Sequence, residues 1–157
     1  MIVVSVGTNE ARFDRLLEWV SGLGGEERML VQHGPSEIRP AGASCVPYLS
    51  FDELADLVRQ SRVFVTHAGV GSIMMSLSVG RRPVVAPRLE RFREAVDDHQ
   101  VGLGRRLEQA HLVTLVESAD TLAAALAQAD HAAEMAVRGT ALSRDLGDYL
   151  RLQCRPA

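Results

Sequence analysis

The sequence predicts an α/β domain with a Rossmann-like parallel sheet and helices on both faces. Short apolar and β-branched runs alternate along the chain with stretches of helical periodicity, the order that βαβ units produce. The chain has 157 residues, a length that suits one domain with its own hydrophobic core. Because crossovers between parallel strands are right-handed, the intervening helices are expected to cover the sheet.

Six apolar runs are predicted to be strands. The first, residues 2–6, is a β-branched run that Gly-Thr-Asn stops. The others are bounded by glycine, proline or polar residues, and they span 29–32, 45–46, 63–65, 83–86 and 112–116. Their shortness and near-continuous apolar character are typical of buried strands in a parallel sheet.

Helices are predicted between these strands. Apolar residues from Phe13 to Val20 have the spacing of an amphipathic helix. Ser50 and Glu53 match a capping box, which predicts a helix over 51–60. Further helices are predicted near 71–79, 93–108 and 118–128.

The end of the chain is set apart from this pattern. We assign the α/β domain to residues 1–130 and a C-terminal helical segment to 131–157. The segment carries apolar residues at rough helical spacing, which either close the domain's own core or dock on a partner. These residues are Leu142, Leu146, Tyr149 and Leu150.

Charge and cysteine usage exclude several classes of protein. The net charge is −3 and the pI is near 5.9, so no nucleic-acid partner is expected. Cys45 and Cys154 are far apart and form no CxxC pair, so neither a disulfide framework nor a zinc site is expected. The apolar start of the chain is too short to span a membrane. We therefore expect a cytoplasmic protein.

Two glycine-rich turns indicate a phosphate site. Gly7-Thr8-Asn9 leaves the first predicted strand, and Gly69-Val70-Gly71-Ser72 follows the strand at 63–65. Ligands of parallel sheets bind beyond the carboxyl ends of the strands, where helix N-termini present free N–H groups. Ser72 is placed to cap the following helix and to donate to a phosphate oxygen. One such turn would be an ordinary βα connection, but two favour an anion site.

A polar cluster, Asp97-Asp98-His99-Gln100, follows Arg88, Arg91 and Arg93. Carboxylate, imidazole and amide groups together supply the donors and acceptors that sugar hydroxyls require. A solvated helix start explains the same residues equally well.

Five segments, in this order, resemble the C-terminal domain of glycosyltransferase family 28. They are 4–10, 13–16, 66–74, 80–85 and 96–100, and the resemblance extends over residues 1–128. The chain is most similar to the small donor-binding subunits of split transferases. Among these it resembles the bacterial exopolysaccharide type most, and it is also similar to the catalytic subunit of the UDP-N-acetylglucosamine transferase of N-glycan assembly.

The resemblance implies a fold equivalent to the C-terminal half of a GT-B glycosyltransferase, a hexosyltransferase that uses a UDP-sugar and no metal or other cofactor. His67 either donates to the diphosphate or packs beneath the second turn. Since charge develops on the UDP oxygens as the sugar leaves, donors there stabilise the transition state, and Arg88 is a candidate for that role. The resemblance places these residues around the diphosphate: Gly7, Thr8, Gly69, Gly71 and Ser72.

The two ends of the donor are also assigned by the resemblance. The segment with Tyr48 and Leu49 matches the one whose backbone reads the uracil. Met75 stands where many family members have a glutamate that binds the ribose, so ribose recognition is expected to come from elsewhere. The segment that contacts the donor sugar is matched by Asp98, His99 and Gln100.

The partners follow from the GT-B architecture, in which the active site lies between two domains. The resemblance covers the donor-binding domain, so we expect a lipid-linked saccharide acceptor and a membrane-anchored acceptor-binding subunit. That subunit would supply the general base and recruit this chain to the cytoplasmic membrane face. A non-catalytic, UDP-sugar-binding regulatory module is the alternative. A sugar-nucleotide epimerase is disfavoured because such enzymes need two domains in one chain.

Overall fold

The computed structural model describes residues 1–24 and 27–129, which form one parallel sheet with helices on both faces. This confirms the predicted fold class. The strands, β1 to β6, are Ile2–Ser5, Met29–Gln32, Ser44–Val46, Val63–His67, Val84–Ala86 and Thr114–Leu115. The helices, α1 to α5, are Asp14–Ser21, Phe51–Gln60, Val70–Ser78, His99–Gln109 and Ala119–Gln128.

The order of the strands places a crevice at the centre of the sheet. The order is β3-β2-β1-β4-β5-β6, and every neighbouring pair is parallel. The chain builds outward from β1 to one edge and then returns to add β4 on the other side of β1. Connections therefore leave β1 and β4 in opposite directions, which opens a crevice at their carboxyl ends.

The alternation of side chains along the central strands explains why both faces are covered. Val4 and Val65 are fully buried and pack with the apolar side chains of α1 and α5. Val3 and Phe64 point to the opposite face and pack with residues of α2 and α3. A further cluster beneath α3 and α4 continues that second face. The sheet is thus buried on both sides, as its short apolar strands predict.

Most predicted elements are present, but the helix predicted from residue 93 begins only at His99. Glu90–Phe92 form a 3-10 helix, and Arg93 has a left-handed backbone with a φ of 57°, which stops a continuous helix. β4 is longer than predicted, because its pairing with β5 continues to His67 and Ala86. The first, fifth and sixth strands are shorter than predicted.

The start of α2 and the end of the chain were each the subject of a local prediction. The capping box is confirmed, since the Ser50 side chain accepts from the Glu53 N–H and the Glu53 carboxylate accepts from the Ser50 N–H. The C-terminal helical segment, with Leu142, Leu146, Tyr149 and Leu150, lies outside the described residues. The division at residue 130 therefore stays a prediction.

Arg62 links the start of β4 to α5 and to the segment before β2. Its guanidinium donates to the Glu27 carboxylate, with 2.6 Å between Nη2 and Oε2. It also donates to the carbonyls of Leu126 and Ala129, each at 2.8 Å. The hydrogen bond from Arg62 lowers the pKa of Glu27 to about 2.

We expect Glu27→Gln to lower the free energy of unfolding at neutral pH by about 1 kcal/mol, because the pair is partly exposed to water. A carboxyl with a lowered pKa stabilises the fold above its unfolded pKa, near 4.5, and loses that contribution as the pH falls toward 2. Urea denaturation over this range should show the difference between wild type and variant shrinking. Asp56→Asn, which removes the exposed partner of Arg59, is the control. A Glu27→Gln difference that does not change with pH would contradict the assignment.

Candidate functional site

A cleft of about 480 Å³ opens at the carboxyl ends of β1, β2 and β4, where the strand order reverses. Its volume lies in the range of small-molecule sites. The turn after β1, the end of β2, the start of α2 and the first turns of α3 form its walls. Of the predicted site residues, the cleft brings together Gly7, Thr8, Leu49, His67, Gly71 and Ser72.

The His67 ring requires glycine in both turns. Gly7 has a φ of 81°, and a Cβ there would lie 2.5 Å from Cε1 of His67. A Cβ on Gly69 would lie 2.2 Å from Nε2 of the same ring. The imidazole therefore packs between the two turns, one of its two predicted roles, while part of it lines the cleft. Gly71 differs, since a Cβ there would meet nothing within 4 Å.

The N-terminus of α3 presents unpaired backbone donors to the cleft. Gly69 is the N-cap residue, and no side chain caps the helix. The prediction that Ser72 caps it is wrong, because Ser72 is the third residue of the helix. The N–H groups of Val70, Gly71 and Ser72 make no hydrogen bond to any residue that the structure describes. Such an end attracts an anion through its donors and its dipole.

Ser5 and Gln32 form a polar pair at the floor of the cleft that the sequence interpretation missed. The register places them side by side at the ends of β1 and β2. The Ser5 hydroxyl donates to Oε1 of Gln32 at 2.8 Å and accepts from the Gly7 N–H at 3.2 Å. This fixes the Gln32 amide and leaves its NH₂ group as a donor for a ligand. The sequence did contain a signal for this pair, because Ser5 and Gln32 are polar residues at the ends of two otherwise apolar strands.

Other cleft residues were also absent from the predicted set. Asn9 is the last residue of the first turn, and its side chain accepts from the Ala11 N–H at 2.7 Å. Phe51 and Leu54 belong to the first turn of α2 and supply apolar surface. They belong to the cleft because α2 packs beside α3, which no local pattern reveals.

Arg88 does not fit its predicted role as a donor to the diphosphate. Its side chain is fully buried and does not line the cleft. Nη2 donates to the Val6 carbonyl at 2.8 Å, and Nη1 donates to the carbonyls of Ala11, Arg12 and Glu94 at 3.0–3.1 Å. Burial lowers the pKa of Arg88 to about 10, so the group stays charged at neutral pH. Its role here is to hold the turn after β1 to the segment after β5.

Asp98, His99 and Gln100 lie at the start of α4 and do not line the cleft. Asp98 accepts from the Glu90 N–H at 2.8 Å, and the exposed His99 pairs with Asp97. Gln100 is buried, and its Oε1 accepts from the Arg88 N–H at 3.1 Å. The segment still begins at the carboxyl edge of the sheet, beside β5. Of the other predicted residues, Tyr48 is exposed next to Leu49 and outside the cleft lining.

The cleft combines backbone donors with a lining that carries no formal charge. No Asp, Glu, Lys or Arg lines it within the part of the chain that the structure describes. Burial, together with the charge of Arg88, lowers the pKa of His67 to about 4. The imidazole is therefore neutral near neutral pH. Such an arrangement suits an anion held by N–H groups, with apolar surface for the rest of a ligand.

The strand order and the position of the cleft are those of a nucleotide-binding α/β domain. The chain matches the model of the glycosyltransferase family 28 C-terminal domain over residues 1–142. It belongs to that family, which confirms the predicted resemblance. Among the curated proteins, none is significantly similar to the chain in sequence.

Solved glycosyltransferases of the GT-B type share the fold. The glycotransferase of kitacinnamycin is 20% identical with a TM-score of 0.59, and the match covers 95% of this chain and 40% of that one. CalG4, the calicheamicin glycosyltransferase, is 14% identical with a TM-score of 0.58, over 96% and 38% of the two chains. SnogD from Streptomyces nogalater is 17% identical with a TM-score of 0.50, over 94% and 37%. The chain thus spans about two fifths of the length of these proteins.

Proposed function

We propose that this chain is the donor-binding, catalytic subunit of a two-subunit glycosyltransferase. It would transfer a hexose from a UDP-sugar to a lipid-linked saccharide in exopolysaccharide biosynthesis. The observation that carries the proposal is the cleft at the reversal of strand order, where two glycine turns meet the uncapped N-terminus of α3. Membership of the family supports a nucleotide-sugar donor as its ligand.

In this proposal the diphosphate lies between the two turns. Thr8 and Ser72 offer hydroxyl groups there, and Gly71 leaves the space that a phosphate oxygen requires. The nucleoside lies along the wall made by the start of α2, where Leu49 and Leu54 are apolar. Met75 also lines the cleft, but its thioether has no hydrogen to donate to the ribose. The Gln32 NH₂ group is therefore our candidate donor to a ribose or base oxygen.

The donor sugar would extend from the diphosphate toward the start of α4. Asp98 and His99 are the exposed members of the predicted sugar segment, while Gln100 supports the Arg88 backbone from a buried position. We therefore assign His99 and Asp98 to contact with the sugar hydroxyls and Gln100 to their positioning.

The chemistry needs stabilisation of the leaving UDP. As the bond between sugar and phosphate breaks, negative charge grows on the diphosphate oxygens. The N–H groups of the first turn of α3 are already oriented toward that charge, so they stabilise the transition state without reorganisation. The acceptor hydroxyl must also lose a proton to a base. No carboxylate of the described residues lines the cleft, so we place that base on the acceptor-binding subunit.

A membrane-anchored partner completes the proposed enzyme. The chain spans about two fifths of its solved relatives, and a GT-B active site needs a second domain opposite the donor cleft. Among residues 1–24 and 27–129, no helix is long and apolar enough to cross a membrane. In this proposal the partner binds the lipid-linked acceptor, is anchored in the membrane, and recruits this chain from the cytoplasm.

Two measurements test the proposal. Calorimetry with UDP should show binding to the isolated chain, with ADP as the control for the base. Membranes that contain the candidate partner, a membrane protein encoded by a neighbouring gene, should transfer radiolabelled sugar to lipid only when this chain is added. Binding without transfer would favour the regulatory module instead. Transfer of N-acetylglucosamine would favour an N-acetylglucosaminyltransferase subunit, and absence of UDP binding would contradict the proposal.

A further inference from the structure

We propose that His67 takes up one proton when a nucleoside diphosphate binds, and so becomes the cationic partner of the diphosphate. The inference rests on the proposed donor site and goes beyond it, because it names the group that balances the ligand's charge. It concerns the Nε2 atom of His67, which lies between the turn after β1 and the start of α3.

The first step is the missing counter-charge. A diphosphate brings at least two negative charges into a cleft whose described lining contains no lysine or arginine. Arg88 is buried behind the turn, and its Nη1 and Nη2 groups already donate to four backbone carbonyls. Helix N–H groups supply only partial charge. His67 is the one lining residue, within the described part of the chain, that can become a cation at moderate pH.

The second step is the tautomer of the free protein. The hydroxyl of Thr66 donates to the Ser5 carbonyl at 3.0 Å and lies 3.2 Å from Nδ1 of His67. Since a hydroxyl has one proton, it can only accept at Nδ1, so Nδ1 carries the N–H. Nε2 of the neutral ring therefore has a lone pair. No hydrogen bond to Nε2 is found among the residues that the structure describes.

The third step is the position of that lone pair. Nε2 is the ring atom nearest to the Cβ position of Gly69, the N-cap residue of α3. The unpaired N–H groups of α3 begin at the next residue, Val70. A phosphate oxygen bound there would meet the bare nitrogen, and two acceptors repel each other. A proton from solvent on Nε2 turns this contact into a charge-assisted hydrogen bond.

The charged surroundings set the direction of the pH dependence. Arg88, after β5, is the charged group that acts on the ring, and with burial it keeps the pKa of His67 near 4 in the free protein. The turn after β1 and the first turn of α3 contribute no ionisable side chain at residues 7–9 and 69–72. His33, after β2, binds the Gly34 carbonyl and does not line the cleft. A bound diphosphate raises the pKa of His67, so binding weakens as the pH rises through the new value.

Calorimetry with UDP-glucose tests the uptake, because its diphosphate has no ionisation near neutral pH. Titrations in two buffers of different ionisation enthalpy give the number of protons bound with the ligand. We expect up to about one proton for the wild type, and an affinity that falls by up to tenfold for each added pH unit above the bound pKa. His67→Gln should bind without uptake. His111→Asn is the matched control, since His111 is exposed, has a φ of 58° that asparagine tolerates, and lies before β6 at the opposite edge.

Nitrogen NMR of the His67 ring in the wild type tests the same inference without a substitution. We expect a proton on Nδ1 alone in the free protein and on both nitrogens with UDP-glucose. A free protein with the proton on Nε2, or binding without uptake, would overturn the inference and leave the donor site intact. Failure of both UDP and UDP-glucose to bind would overturn the donor site as well.

Discussion

Replacement of Arg88 by methionine is expected to lower the free energy of unfolding by about 3–4 kcal/mol. Methionine is close enough in size to avoid a large cavity, so the loss comes from hydrogen bonding. The substitution leaves the carbonyls of Val6, Ala11, Arg12 and Glu94 without the donors that reach them at 2.8–3.1 Å. Each buried acceptor without a partner costs about 1–3 kcal/mol. The substitution also removes a buried charged group, the Arg88 guanidinium, whose desolvation is unfavourable, and this offsets part of that cost.

Urea denaturation measures this effect, with Arg105→Met as the matched control. Arg105 is exposed, and it meets Glu117 at 3.4 Å on the surface, so its loss should cost less than about 0.5 kcal/mol. The Arg88 variant should also bind UDP more weakly, because the turn with Gly7 and Thr8 loses its attachment. Equal stability of the two variants would show that the buried guanidinium does not stabilise the fold.

The second large effect is expected from Gly71→Val, which should weaken UDP binding by at least about tenfold, or 1.4 kcal/mol. A Cβ at this position meets no atom within 4 Å, and valine is no worse than glycine in a helix. The fold should therefore be retained. The added methyl groups would occupy the cleft above the first turn of α3, where the proposal places the diphosphate.

Gly102→Val is the control for this substitution. Gly102 lies on α4, is exposed, and also has nothing within 4 Å of its Cβ position, but it does not line the cleft. Both variants should unfold at similar urea concentrations, and only Gly71→Val should lose affinity in calorimetry. Unchanged affinity in folded Gly71→Val would place the phosphate elsewhere.

Features that depend on residues close in sequence were predictable. The strand at 29–32 and the helix at 51–60 follow from apolar runs and a capping box, whose physics is contained within a few residues. The two glycine turns were predicted because glycines follow closely after an apolar run in both places, a pattern contained in the local sequence. The motifs also placed the chain in its family, since five ordered segments are unlikely to coincide by chance.

The prediction failed where several weak local signals competed. The stretch from Arg93 to Asp98 has helix-forming residues. The left-handed backbone at Arg93 and the hydrogen bond that the Glu90 N–H donates to Asp98 nevertheless hold it as a turn. The cap predicted for Ser72 does not form, because a helix capped by Ser72 would begin at residue 73, whereas α3 begins at Val70 with Gly69 as its N-cap. Between Arg93 and Asp98, the contact with Glu90 outweighed a helix preference of a few tenths of a kcal/mol per residue.

By itself the sequence determined the alternating α/β order, the two glycine turns and the family. Only the tertiary structure decided that Arg88 is an internal clamp and that His67 fills the gap between Gly7 and Gly69. The hydrogen bond from Arg88 to the Val6 carbonyl joins residues 82 positions apart, and Ser5 and Gln32 are 27 positions apart. Such contacts exist only after the sheet has formed, because burial and hydrogen-bond partners are properties of the packed chain and carry no local signature in the sequence.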